Sequence, residues 1–214
     1  MKESADAPQE GGLSAKFAKY GGRFIEAVRR FDEENAQDPC RVLVDGIERA
    51  HELWYAQKLT EWILRLEPDA SEPLLLAVRS QHICRWLIPR KSYEMSRAGY
   101  LRWRNDLKNL HARKSAEILR EVGYDETTIA RVVELNLKKG LGRDRECQVL
   151  EDALCLVTLQ YQLADLMAKT DPDKMVGILR KTWKKMSDAA RNQALALSYT
   201  KAERALIGKA LAPQ

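Results

Sequence analysis

The chain has 214 residues, 45% of them apolar and 31% charged, and a net charge of +5. That length suits one domain with a substantial core, and that apolar fraction excludes a largely disordered chain. No run of 18 apolar residues occurs and Met1–Gly12 is polar and acidic, so neither a membrane span nor a secretory signal is expected.

Residues 1–13 are expected to be a flexible leader. From Ser14 onward Phe17, Tyr20, Phe24, Ile25, Val28 and Phe31 recur at helical steps, weakened by Gly21-Gly22 and ended before Pro39. Arg41–Gly46 is a short connector turned by Asp-Gly. A second helix is predicted over Ile47–Leu66, its apolar face formed by Leu53, Trp54, Leu59, Trp62, Ile63 and Leu66. The next helix is predicted over Glu72–Trp86, capped by Ser71 or Asp69 with Pro73 in its first turn. Pro89–Arg97 is a basic loop. A helix from about Gly99 to Val122 closes on Gly123, a left-handed cap. Further helices are expected over Glu126–Lys139 and Asp144–Ala168, and then through Met186 and Leu211. No long alternating pattern is present, so the expected class is all-α: a single-domain bundle of about eight helices over 14–214, with 172–214 as a packed C-terminal extension.

Chemistry gathers where ionisable groups fall on these helices. His51 opens one, His82 ends another, His111 is central in a third and Asp152 in a fourth. Four helices each bringing an imidazole or carboxylate is how bundle proteins build metal sites. Such donors suit a divalent transition metal, namely iron, manganese or zinc, as one or two ions. Asp152 also interrupts an apolar run, where a carboxylate is costly unless paired, hydrogen-bonded or metal-bound. Gln81 and Arg85 flank His82, and Arg85 stands one turn from it on a helix. Around them Arg79, Arg90, Lys91, Arg97, Arg102 and Arg104 alternate with Trp86, Tyr93, Tyr100 and Trp103. Guanidinium forks match phosphate oxygens, so Arg85, Arg90, Arg97 and Arg104, with Lys181 from the Arg180–Lys185 stretch, are the candidate anion contacts. The basic surplus fits an anionic small-molecule substrate and is too mild to establish nucleic-acid binding. Four cysteines without a C-x-x-C pair fit a reducing, cytoplasmic setting.

The segment His111-Ala-Arg-Lys-Ser-Ala-Glu-Ile-Leu-Arg-Glu-Val-Gly-Tyr124 resembles a helix of the HD-type metal-dependent phosphohydrolases, and the order of histidine helices followed by a late aspartate is similar. On that resemblance Gln81-His82 takes the place of the His-Asp pair and Asp152 that of the last aspartate, so the eponymous doublet is absent. A closer resemblance covers nearly the whole chain. Glu52–Trp62, Gln81–Arg90, Gly99–Arg104, Leu150-Glu151-Asp152 and Ile178–Ser187 are similar to the family called domain of unknown function 4202, whose pattern centres on Glu52-Leu53. Glu52 therefore competes with His51 as a ligand.

The HD-type resemblance implies an HD-like core and a metal-dependent hydrolase of a phosphate-containing small molecule or nucleotide, while the closer one brings no activity of its own. His82, His111, Asp152 and either Glu52 or His51 would hold metal, while Arg85, Glu151 and Gln81 would act on substrate or water. An HD-type iron-dependent oxygenase is a second expectation. A non-catalytic RNA- or protein-binding module with a degenerate site is a third.

Overall fold

The computed structural model describes Phe17 and residues 19–212. The expected leader, and Ser14 as a helix start, lie outside the described residues. The chain is mostly helical. Among the described residues there are ten α-helices and one two-stranded hairpin, and no helix is long and apolar enough to cross a membrane.

Two compact units divide the chain. The described residues up to Gln57, with Ser71–Leu137, form the first; Lys58–Ala70 and Lys138 onward form the second. The first unit opens with α1 (Gly22–Ala36), capped by Gly21, and the antiparallel strands β1 (Arg41–Val44) and β2 (Ile47–Ala50) follow. Helix α2 (His51–Leu66) begins in this unit and ends in the other. Then come α3 (Glu72–Arg79), the 3-10 turns Arg85–Leu87 and Arg90–Ser92, α4 (Arg97–Val122) and α5 (Glu126–Asn136). Phe24, Phe31, Leu74, Leu75, Leu76, Ile83, Leu107, Leu119, Ile129 and Leu135 are its fully buried large side chains. Arg79 forks onto Asp32 with two 2.6 Å hydrogen bonds, tying α3 to α1.

The predicted start at Ile47 is four residues early. Asp45 and Gly46 adopt φ of 52° and 79°. Two consecutive left-handed residues make the tight turn whose twist suits a hairpin, so Ile47–Ala50 pairs back onto Arg41–Val44, with Leu43 opposite Glu48. The predicted end at Trp86 is seven residues late. The Ser80 hydroxyl donates to the Leu76 and Ala77 carbonyls at 2.9 and 3.4 Å, a local bond that competes with the helix. The chain then turns through Cys84 at φ 57°. Ser71 and Gly123 cap as the sequence suggests, Ser71 accepting from the Leu74 amide and Gly123 closing α4 at φ 91°, while α4 starts two residues before the expected Gly99, capped by Ser96.

The second unit holds the rest of α2 and then α6 (Arg145–Val157), a π turn (Thr158–Gln162), α7 (Leu163–Lys169), α8 (Pro172–Lys185), α9 (Asp188–Leu195) and α10 (Lys201–Leu211). Leu59, Ile63, Leu150, Leu156 and Leu163 lie in its core, and Trp62 Nε1 donates to Gln160 at 2.8 Å.

Candidate metal centre

Asp38 begins the construction of the site. It is buried, and its two oxygens accept from the Cys40 amide at 2.9 Å and the Glu52 amide at 3.0 Å. With the His51 amide donating to the Cys40 carbonyl at 2.9 Å, this fastens the first turn of α2 to the base of β1. An acid accepting from first-turn amides also suits the positive end of the helix dipole.

Glu52, 5% exposed, is the hub. Its carboxylate faces His51 Nδ1 at 3.4 Å, His82 Nδ1 at 3.2 Å and Arg85 Nε at 3.7 Å. Burial alone would raise this carboxyl. The charge of His82 and the hydrogen bonds from His51 and His82 outweigh it and hold the group well below the usual carboxylate range. His51 is raised in turn by its hydrogen bond to Glu52, against its own burial. Tyr55, one turn on, stacks on His82 at 4.7 Å and on His51 at 6.0 Å.

His111 reaches the same place from α4. Its ring lies 5.7 Å from that of His82, and Nδ1 is 2.7 Å from the Ile83 carbonyl. A carbonyl only accepts, so Nδ1 carries the proton and Nε2 the lone pair. That carbonyl is available because α3 has already ended. Nε2 is buried and has no hydrogen-bond partner. Burial, and then the charge of His82, push the imidazole down to about 3, so it is neutral. A neutral ring whose other nitrogen is fixed by a carbonyl is the form in which histidine binds metal.

Three of these residues, two carboxylates and an imidazole, offer the kind of donors a transition-metal ion takes. Donor atoms of Asp38, His51 and Glu52 lie within 4.8 Å of one another, and His82 and Glu52 are in direct contact. Asp38 was not recognised in the sequence, where Asp-Pro reads as a helix stop. Glu52 and His51, which competed there for one place, both belong to the cluster.

The other candidates divide. Gln81 is buried in the same turn as His82, with an oxygen that has no partner. Arg85 packs over the Trp103 ring at 5.0 Å. Arg90 is committed differently: its guanidinium donates to the Tyr93 and Ser96 carbonyls at 3.1 and 3.3 Å, bracing the loop before α4. A side chain on Gly99 would stand 2.1 Å from the Glu94 carbonyl, so glycine there lets the loop fold back onto α4. Arg97 is exposed at the start of α4, and Arg104 donates to the Tyr100 hydroxyl at 3.4 Å.

Glu151, Asp152 and Lys181 lie in the second unit. Glu151 is ion-paired to Lys138 and Lys185. Asp152 accepts from the Ser187 amide and hydroxyl at 2.8 and 2.6 Å and from Gln148 at 3.0 Å. Those bonds satisfy the buried carboxylate and fasten the cap of α9, which answers the cost that singled it out in the sequence. Asp152→Ala is expected to destabilise the protein by about 2–4 kcal/mol and to leave bound metal unchanged. Elemental analysis beside thermal denaturation checks both, and loss of metal at unchanged stability would make Asp152 a ligand.

No curated protein and no solved structure matches the chain. The model of the family described as Domain of unknown function (DUF4202) matches residues 25–207, most of the chain's length, and the chain belongs to that family.

Proposed function

We propose that the first unit carries a metal-dependent hydrolase site for a phosphate-containing small molecule. The observation that carries this reading is His111: a buried, neutral imidazole with its Nδ1 proton held by Ile83 and its Nε2 lone pair without a partner among the described residues, its ring 5.7 Å from that of His82, which faces the Glu52 carboxylate. Asp38, His51 and Glu52, whose donor atoms lie within 4.8 Å of one another, would form the nearest ligand set, with His82 and His111 adjoining it from the turn after α3 and from α4. When bound, such an ion polarises a phosphoryl oxygen and makes water nucleophilic near neutral pH.

The protein's own residues supply the rest. Arg85 holds a fixed positive charge at the edge of the cluster, with its stem against Trp103, and presents a fork to an anionic group. Gln81, with its unpartnered carbonyl oxygen, accepts a hydrogen bond from water in the same turn. Tyr55 keeps the two imidazoles in register. The order of histidine helices, which resembles that of HD-type phosphohydrolases, supports the same chemistry by analogy. Four unpaired cysteines support a reducing, cytoplasmic setting.

Elemental analysis of the purified protein beside His82→Ala and His111→Ala tests the reading. Near-stoichiometric zinc, manganese or iron in the wild type, lost in both variants, is the expected result, together with phosphate release from a panel of aryl and nucleoside phosphates. A wild-type protein that takes up no metal after reconstitution would overturn it. Bound iron with oxygen consumption and no phosphate release would assign redox chemistry instead.

A further inference from the structure

A cationic face of the second unit points to a different partner. Along the loop that leads into α6, Lys138, Gly140 and Gly142 take left-handed φ of 56°, 95° and 86°. Alternating left-handed residues turn successive amides toward one side and make a concavity suited to anions. The Arg143 and Asp144 amides both donate to the Gly140 carbonyl at 2.8 Å and close the loop. Among the described residues, the amides of Gly140, Leu141 and Gly142 donate to no carbonyl.

The loop carries Lys138, Lys139 and Arg143 beside Asp144, whose carboxylate caps α6 by accepting from the Cys147 amide. Lys138 and Lys185 bind the two oxygens of buried Glu151, Lys185 at 3.3 Å. One carboxylate thereby anchors the last turn of α8 beside the start of the loop. Lys139 and Arg143 on the loop, and Lys181 and Lys184 on α8, are exposed and have no carboxylate partner among the described residues. Lys181 and Lys185 are also four apart on one helix, a like-charge pair that weakens the helix by itself.

Three of the arginines that looked basic in the sequence are engaged elsewhere, Arg79 on Asp32, Arg90 on two carbonyls and Arg102 near Glu94 at 3.7 Å, while Arg97 stays exposed on the first unit.

We propose that this face, formed by Lys139 and Arg143 of the loop with Lys181 and Lys184 of α8, binds the phosphodiester backbone of a nucleic acid. Several cations spaced over a loop and a helix end match a row of phosphates better than a single anion. None of these residues is aromatic, so contact is with the backbone and not by base stacking. Leu141, 40% exposed, is the loop's single apolar side chain, too little to bury in a lipid surface.

Fluorescence anisotropy with a short mixed-sequence RNA duplex, across a salt series, tests this. The triple variant Lys139→Glu, Arg143→Glu, Lys181→Glu is expected to bind at least about 30-fold more weakly at low salt, with the slope of log affinity against log salt reduced by about 3. Lys201→Glu, on another helix of the same unit, should change affinity less than about twofold. Circular dichroism establishes that each variant is folded. Glu52→Gln, in the first unit, should bind the duplex like wild type, so this proposal stands or falls apart from the hydrolase reading. No duplex binding by the wild type, equal binding by the triple variant, or binding to phosphatidylserine vesicles but not to the duplex would each overturn it.

Discussion

Glu52→Ala is expected to cost about 3–5 kcal/mol of stability, because removing one partner of a buried charge cluster leaves the others uncompensated. For a chain of this length that lowers the melting temperature by roughly 10 °C. The lost carboxylate is the counter-charge of His51, His82 and Arg85, while the Glu52 amide and its bond to Asp38 survive the substitution. Glu52→Gln keeps the volume and one acceptor oxygen, and should cost about half as much. The cluster makes a sharper claim through a double-mutant cycle. With Glu52 gone, His82 has already lost the carboxylate it faces, so adding His82→Ala to Glu52→Ala should cost less than His82→Ala does alone. The coupling is expected at about 1–3 kcal/mol. Additive effects within a few tenths of a kcal/mol would mean that these groups do not act as one network. On the proposed reading the same variants also test for an ion: Glu52→Ala should take up none even under conditions where the protein remains folded.

Much of the fold was legible because its determinants are local. Ser71 before Glu72-Pro73, Gly123 after Val122 and the three- and four-residue apolar spacing of α1 act within a few residues of one another, and the structure uses each of them. The hairpin was also written locally, in Asp45-Gly46 between apolar runs. Ile47-Glu48-Arg49-Ala50 continues smoothly into the periodic face of α2, however, and four residues are too few for a period of two to stand out from a period of 3.6. The end of α3 depended on a serine bonding back to its own helix, which spacing does not reveal.

The site was legible by residue type and obscure in its wiring. His82, His111, Glu52, His51 and Arg85 were named from the sequence, and the structure gathers them in one unit. Asp38 was missed because it works fourteen residues forward, on the amide of Glu52. Arg90 was given to substrate because a loop arginine beside aromatics suits an anion. Its acceptors are two main-chain carbonyls, whose availability is set by the loop's path and not by any side chain.

Acid should unfold the metal-free protein through His111 in particular. An ordinary imidazole titrates near 6.5, and burial with the His82 charge holds His111 down at about 3 in the folded protein. Between these values the unfolded chain binds a proton that the folded chain refuses, so the contribution is fully present above about pH 6.5 and is lost as pH falls toward 3. It amounts to as much as roughly 4 kcal/mol. Glu52 acts in the same direction further down: its folded value is depressed, so its contribution is present above the ordinary carboxylate range and is lost as acid reaches the lowered value. His51 acts oppositely, being raised, and its contribution is present below about 6.5 and is lost as pH climbs through the raised value. His111→Asn separates the three, since its amide can still donate to the Ile83 carbonyl but does not titrate. Denaturant unfolding of the chelated protein at steps from pH 7 to pH 4 should show wild-type stability falling steeply and the variant's falling much less. Parallel slopes for the two proteins would mean that His111 takes up its proton in the folded state, and its Nε2 would then be a partnered donor and not a lone pair held open for a ligand.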